Sequence, residues 1–224
     1  TLDWKDFYKF KISKAILFFV MVLIASFFIL SQAMTYDAPA NPITIVIASF
    51  LRLYKLDSIP PQPFLDEVSN GYNAYSLLQT GADEYGTRFP ILIRAFDDWR
   101  PSLFIYFSIP FVWMFGLTTF SIRFPSVILS LMSIIGIYFL TKEFLLQARG
   151  KGTLFTNTAV QWMSLCAAGL LAVSPWHIYN SRFSNEPNLA LTLLIFAVTF
   201  FLLFLRTEKE QRRKYIFILE IIRY

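Results

Sequence analysis

The chain has 224 residues, 56% of them hydrophobic and 18% aromatic, with 20 Lys+Arg against 15 Asp+Glu and a mean hydropathy of +0.52. That apolar share exceeds the ~45–50% of soluble domains and puts the chain in the membrane class. The net charge of +5 does not argue for nucleic acid, because the basic residues fall in short segments between apolar runs and read as topology signals. The lone cysteine, Cys166, lies in an apolar run and excludes an intrachain disulfide or a thiolate metal cluster.

In chain order, Lys5, Lys9, Lys11 and Lys14 precede the apolar run Ala15 to Leu30, which extended to Met34 reaches across a bilayer and is expected to leave the N-terminus in the cytoplasm. A cleaved signal peptide is the competing reading, and the length of the run favours a retained anchor. Asn41 to Leu56 is apolar but short, which suits an interfacial or partly inserted helix. The prolines of IPPQP then break the chain. From Phe64 to Pro101 follows a polar, acid-rich island. Within it, Val68 to Gln79 has helical spacing, with Asn70 or Asp66 as a start cap and Gly81 as the stop. Gly86 and Pro90 mark turns.

Leu103 to Phe120, Phe124 to Thr141, Ala159 to Val173 and Leu189 to Leu205 are the later apolar runs. The basic residues Lys142, Arg149 and Lys151, then Arg206, Lys209, Arg212, Arg213 and Lys214, are expected in the cytoplasm. An external island and a cytoplasmic 142–151 require an odd number of crossings between them. Leu103 to Phe120, interrupted by Pro110, is therefore read as lying along or dipping into the outer face, with Phe124 to Thr141 crossing and Arg123 an interfacial anchor. If Asn41 to Leu56 also crosses, the island is cytoplasmic instead. On the preferred topology residues 34–123 form a first external loop and 174–188 a second, within a single domain over 1–224. The closing YIFILEIIRY reads as the start of a further span, so the chain is expected to be incomplete.

The two loops carry the chemistry. Asp66 and Glu67, adjacent after a proline-rich turn, suit a general base that takes a proton from a hydroxyl, and equally a solvated helix start. Asp83 and Glu84 sit between glycines and read as turn residues. FDDWRPSL sets Asp97, Asp98 and Arg100 before an aromatic run. Arg100, and Arg182 from the second loop, could each bind a lipid phosphate bidentately or simply snorkel. His177 beside Trp176 reads as an aromatic-belt residue. No His and carboxylate spacing indicates a tightly held zinc or iron, and no glycine-rich phosphate cradle indicates a nucleotide.

The order FLRLYKLDSIPPQPFLDE, NAYSLLQTGADEYGTRFP, FDDWRPSL, GLTTFSIRFPSVILS and SPWHIYNSRFSNEP resembles the N-terminal half of the GT-C membrane glycosyltransferases. It is most similar to the bacterial relatives of protein O-mannosyltransferases and of lipid A aminoarabinose transferase, over roughly Ser49 to Leu205. The resemblance implies an all-α integral membrane protein with GT-C-like transmembrane helices and juxtamembrane helices in the first external loop. It implies that Asp66 acts as base with Glu67 as its paired acid. It also implies donor or substrate contacts from Asp97 or Asp98 with Arg100 and Pro101, and from Arg182 with Glu186. Arg100 stands where His or Lys is common in the family, and Ser102 where a second proline often stands.

The implied reaction moves a sugar from a polyprenyl phosphate to a hydroxyl of a lipid, glycan or protein at the outer face of a bacterial plasma membrane, with inversion. Asp66 would deprotonate the acceptor, and Arg100 and Arg182 would stabilise the departing phosphate. The expected partners are that donor, the hydroxyl acceptor and membrane lipids, with no nucleic acid. No cofactor is assigned, and a divalent metal stands as an open possibility. Two other classes stand beside this one. A transporter of lipid-linked sugars would place ionisable residues deep within the spans, where this sequence has almost none. A non-catalytic or inactive truncated membrane subunit would need only the fold.

Overall fold

A computed structural model describes residues 42–96, 98–148 and 156–222, with side chains up to residue 208. The proposed N-terminal anchor with its lysines, Asp97, Arg149, Lys151 and the side chains of Lys209, Arg212, Arg213 and Lys214 lie outside what is described. The described chain is mostly helical: α1 Pro42–Leu53, α2 Leu65–Thr80, α3 Leu103–Phe115, α4 Thr119–Ala148, α5 Asn157–Val173, α6 Pro175–Ser181 and α7 Glu186–Ile222. Two short strands, β1 Leu92–Ala95 and β2 Asp98–Pro101, form an antiparallel ribbon. The ribbon corrects the all-helical expectation. Ile93 and Ala95 alternate inward along β1 while Leu92 and Arg94 face out, the period of a half-buried strand.

Helix boundaries follow local chemistry. Pro42 and Pro175 occupy first-turn positions where no N–H is needed. α2 begins earlier than expected, at Leu65. Its start is closed by Glu67, whose carboxylate accepts the Phe64 N–H at 3.0 Å, so Asp66 and Asn70 lie inside the helix rather than capping it. Gly81 ends α2 at φ 68°, in the left-handed region that glycine adopts without strain. Thr118 and Ser121 cap α4 reciprocally, each side-chain oxygen accepting the other's N–H, at 3.2 and 3.1 Å. Thr156 Oγ1 caps α5 through the Ala159 N–H.

Among the described residues two helices are long and apolar enough to cross a membrane: α4, and α7 over Glu186–Glu208. A third follows if α5 and α6, bent by 59° at their junction, are taken together. At 12 and 13 residues, α1 and α3 reach only about 18–20 Å, short of the ~30 Å hydrocarbon core. α7 continues as one helix through YIFILEIIRY as far as Ile222, so no break separates a further span there.

α4 and α7 run parallel. Ser133 meets Thr192 at 2.8 Å, and further along in the same sense Glu143 meets Arg206 at 2.8 Å. A Cβ on Gly136 would lie 2.8 Å from Ile195 Cγ2, which shows how closely the two backbones approach. α5 returns in the opposite sense, because its last carbonyls reach the same end of the bundle as the start of α4. One core cluster joins α1, α4 and α5 through Ala48, Ile134, Tyr138, Ala168 and Ala172. Another packs α2, β1, α3 and α4 through Ala74, Leu77, Ile93, Ile105, Val112 and Ile122. The two polar loops therefore meet at one end of the bundle, and Lys142, Glu143 and Arg206 lie at the other.

Candidate functional site

At that end the acidic pair divides. Glu67 is 1% exposed and shares the buried face of α2 with Asn70, Ala74 and Leu77. Its carboxylate receives Arg123 Nε at 3.0 Å and Nη2 at 3.1 Å, a bidentate fork, together with the backbone N–H groups of Phe64 and Ser184, each at 3.0 Å. A carboxylate has about four acceptor positions, and all are filled. Glu67 has no lone pair left to take a substrate proton, so its expected catalytic role is corrected to a structural one.

Arg123 is likewise not an interfacial anchor. It is 0% exposed, and beyond Glu67 it donates to the carbonyls of Leu56, Pro60 and Gln62. The pair joins the start of α2, the start of α4, the turn at 56–62 and the second loop at Ser184. The Phe183 ring lies 6.0 Å from the guanidinium.

Arg182 also departs from expectation. Its guanidinium donates to the carbonyls of Leu51, Arg52, Tyr54, Lys55 and Ile59, at 2.6 to 3.2 Å. A cation there meets the negative end of the α1 dipole and satisfies carbonyls that the helix end leaves open. With its N–H donors engaged, Arg182 is a clasp on α1, and the phosphate contact assigned to it is corrected. Burial lowers its pKa, with a smaller contribution from nearby Arg123.

Arg52 performs the same service for α1 and α5, donating to Ala48 O, Leu171 O and Ala172 O, and burial pushes its pKa down to about 10. It remains charged at neutral pH. Its Nη2 also lies 2.8 Å from His177 Nδ1. A guanidinium only donates, so Nδ1 is the acceptor and the imidazole is the neutral form with its proton on Nε2. His177 is thus a buried partner of Arg52 and not a belt residue, while Trp176 beside it is exposed.

Asp66 is different. Its side chain is 62% exposed, and Oδ1 accepts Arg100 Nη2 at 2.6 Å, with Arg100 17% exposed. The two residues come from α2 and β2, and the ribbon register fixes the second of them, with Arg100 opposite Ile93 and Asp98 opposite Ala95. Asp98 and Arg100, two residues apart on one strand, share a ribbon face. Asp98 is exposed and accepts the N–H of Trp99. Glu186 opens α7 at the same end of the bundle, half-buried, where the helix dipole favours an acid.

Asp83 shapes the turn as expected, its Oδ1 accepting the N–H groups of Tyr85 and Thr87 at 3.0 and 2.7 Å. Glu84 is tied to α2 by Asn73, which donates to its carboxylate at 3.2 Å and accepts its N–H at 3.0 Å. Around Asp66 and Arg100 lie exposed apolar side chains, among them Leu65, Val68, Trp99 and Leu103. The Phe111, Phe115, Phe120 and Phe124 rings pack on one another between α3 and α4. Among the described residues no cluster of His, Cys, Asp and Glu is arranged to hold a metal.

Nothing local in the sequence marks Arg52 or Asn73 as a structural link, and Arg123 has the sequence setting of an anchor. The signal for Glu67 lay in its spacing, since it falls three and seven residues before Asn70 and Ala74 on one helical face. Compared with known proteins, the chain matches no family model, no curated protein and no solved structure.

Proposed function

We propose that the chain is a membrane glycosyltransferase that moves a sugar from a polyprenyl phosphate to a hydroxyl acceptor at the outer face of a bacterial plasma membrane. The observation that supports this reading is the exposed Asp66 beside Arg100, at the end of an apolar helix bundle and rimmed by apolar side chains. A carboxylate open to solvent is free to act as a base, and a neighbouring guanidinium matches a phosphate oxygen pair.

In the proposed step the acceptor oxygen attacks the anomeric carbon, its proton passes to the Asp66 carboxylate, and the carbon–oxygen bond to phosphate breaks with the electron pair leaving on the phosphate. Arg100 stabilises that leaving group. Asp66 and the donor phosphate compete for the same guanidinium. Arrival of the donor therefore draws Arg100 away from Oδ1 and leaves that oxygen open to the acceptor hydroxyl only when a sugar is present to be transferred. Asp98, exposed on the same ribbon face as Arg100, is assigned to the sugar hydroxyls in this reading.

Membranes containing the full chain should transfer radiolabelled sugar from a polyprenyl phosphate to a hydroxyl acceptor. Arg100→Gln should chiefly raise the KM for the donor and Asp66→Asn should chiefly lower kcat. Absence of transfer from every polyprenyl-phosphate sugar offered, by protein shown to be folded, would count against the proposal.

A further inference from the structure

Where α2 meets the second loop just ahead of α7, four buried oxygen atoms have no hydrogen-bond partner among the described residues: Asn70 Oδ1, Ser184 Oγ, Asn185 Oδ1 and Glu186 Oε1. The backbone keeps them in one neighbourhood. Asn70 Nδ2 donates to Ser184 O at 3.0 Å, the Ser184 N–H donates to Glu67 at 3.0 Å, and Asn185 and Glu186 follow directly in the chain. Asn70 and Ser184 are each 1% exposed, so bulk water does not serve them. Leaving one buried acceptor unpaired is costly, and four in one seam call for a common partner.

Apart from the Ser184 hydroxyl, the side-chain donors of this region are engaged elsewhere. Arg123 is taken up by Glu67 and three carbonyls, Arg182 by the end of α1, and Asn188 Nδ2 by Asn180 O at 2.7 Å. Glu186 lies in the first turn of α7, where the helix dipole favours an acid. Its buried Oε1 is without a partner among the described residues, and neither Arg123 nor Arg182 is free to supply one.

The donor set is one carboxylate, two carboxamide oxygens and a hydroxyl, with no nitrogen or sulfur. That chemistry disfavours zinc and copper and matches a hard cation. Calcium accepts Asn carbonyls in flexible geometry, whereas magnesium demands a near-ideal octahedron and keeps most of its waters. We propose that Asn70, Ser184, Asn185 and Glu186 bind a divalent cation of the calcium class, which ties the second loop to α2 one helical turn from Asp66. A single carboxylate sets a modest affinity, on the order of 10⁻⁴–10⁻³ M. The site stands independently of the glycosyl-transfer reading, since it rests on other residues and is tested without turnover.

The test is thermal unfolding of the detergent-solubilised full chain, stripped with chelator and titrated with calcium or magnesium chloride. Calcium should raise the melting temperature saturably, by roughly 3–6 °C at tenfold over the Kd. Glu186→Gln should flatten the titration, and Asn185→Asp, which adds a charge, should move its midpoint to lower calcium concentration. Glu208→Gln, an exposed acid away from the seam, should leave it unchanged. No rise with calcium up to about 10 mM, well above the expected affinity range, would overturn the proposal. So would a rise that Glu186→Gln retains in full.

Discussion

Glu67 accepts four hydrogen bonds in a place closed to solvent, and two of them come from the charge that balances it, Arg123. Removing that partner strands a buried anion, which typically costs about 3–5 kcal/mol. Arg123→Ala is therefore expected to lower stability by that order, measured by thermal unfolding in detergent. The double variant Glu67→Leu/Arg123→Met should be less destabilised than Arg123→Ala alone, because it leaves no unpaired charge. Asp66 makes its one ion pair at an exposed site, so Asp66→Asn should change stability by within about 0.5–1 kcal/mol. The acidic pair was legible from its position after the prolines, but its division was not. Which of two adjacent acids faces inward depends on where α2 begins and on the distant Arg123, 56 residues further along the chain.

At the scale of elements, α2 and α4 are in contact where α2 has no side chain. A Cβ on Gly71 would lie 2.5 Å from Ile122 Cγ2, an atom on a branched carbon that cannot swing aside cheaply. Gly71→Ala is expected to destabilise the fold by about 1–3 kcal/mol through overpacking. A melting temperature at or above that of the parent chain would contradict the close approach. Arg182→Met should release the end of α1, seen as faster hydrogen exchange at residues 51–55 while α4 is unaffected. The apolar runs of α3, α4, α5 and α7 were legible because helix length and hydropathy are local properties, as was Gly81 as a terminator. The ribbon at 92–101 was not, since its pairing lies between two apolar runs and its alternation is only four residues long on each side. Arg182 is a similar case: five carbonyls from the end of α1 and the turn after it converge on Arg182 only after folding, and a lone arginine in a polar loop looks the same whether it binds phosphate or backbone.

For the whole molecule, parallel α4 and α7, each packed against the other, with α5 running back along α4, put both polar loops at one end. The side of the membrane that this end faces is a separate question, argued from the Lys and Arg of the opposite end. Thr87 is exposed in the first loop and Ala148 is exposed at the far end of α4. In a Cys166→Ser background, Thr87→Cys should react with an impermeant thiol reagent in intact cells and Ala148→Cys only after permeabilisation. The reverse pattern would invert the orientation. The direct test of the functional reading is the initial rate of sugar transfer from a polyprenyl phosphate by the Asp66→Asn protein, compared with parent protein of equal melting temperature. A base acting at the acceptor hydroxyl predicts a loss of about 10²–10⁴-fold. A rate within about twofold of the parent, below what any general base contributes, would contradict it.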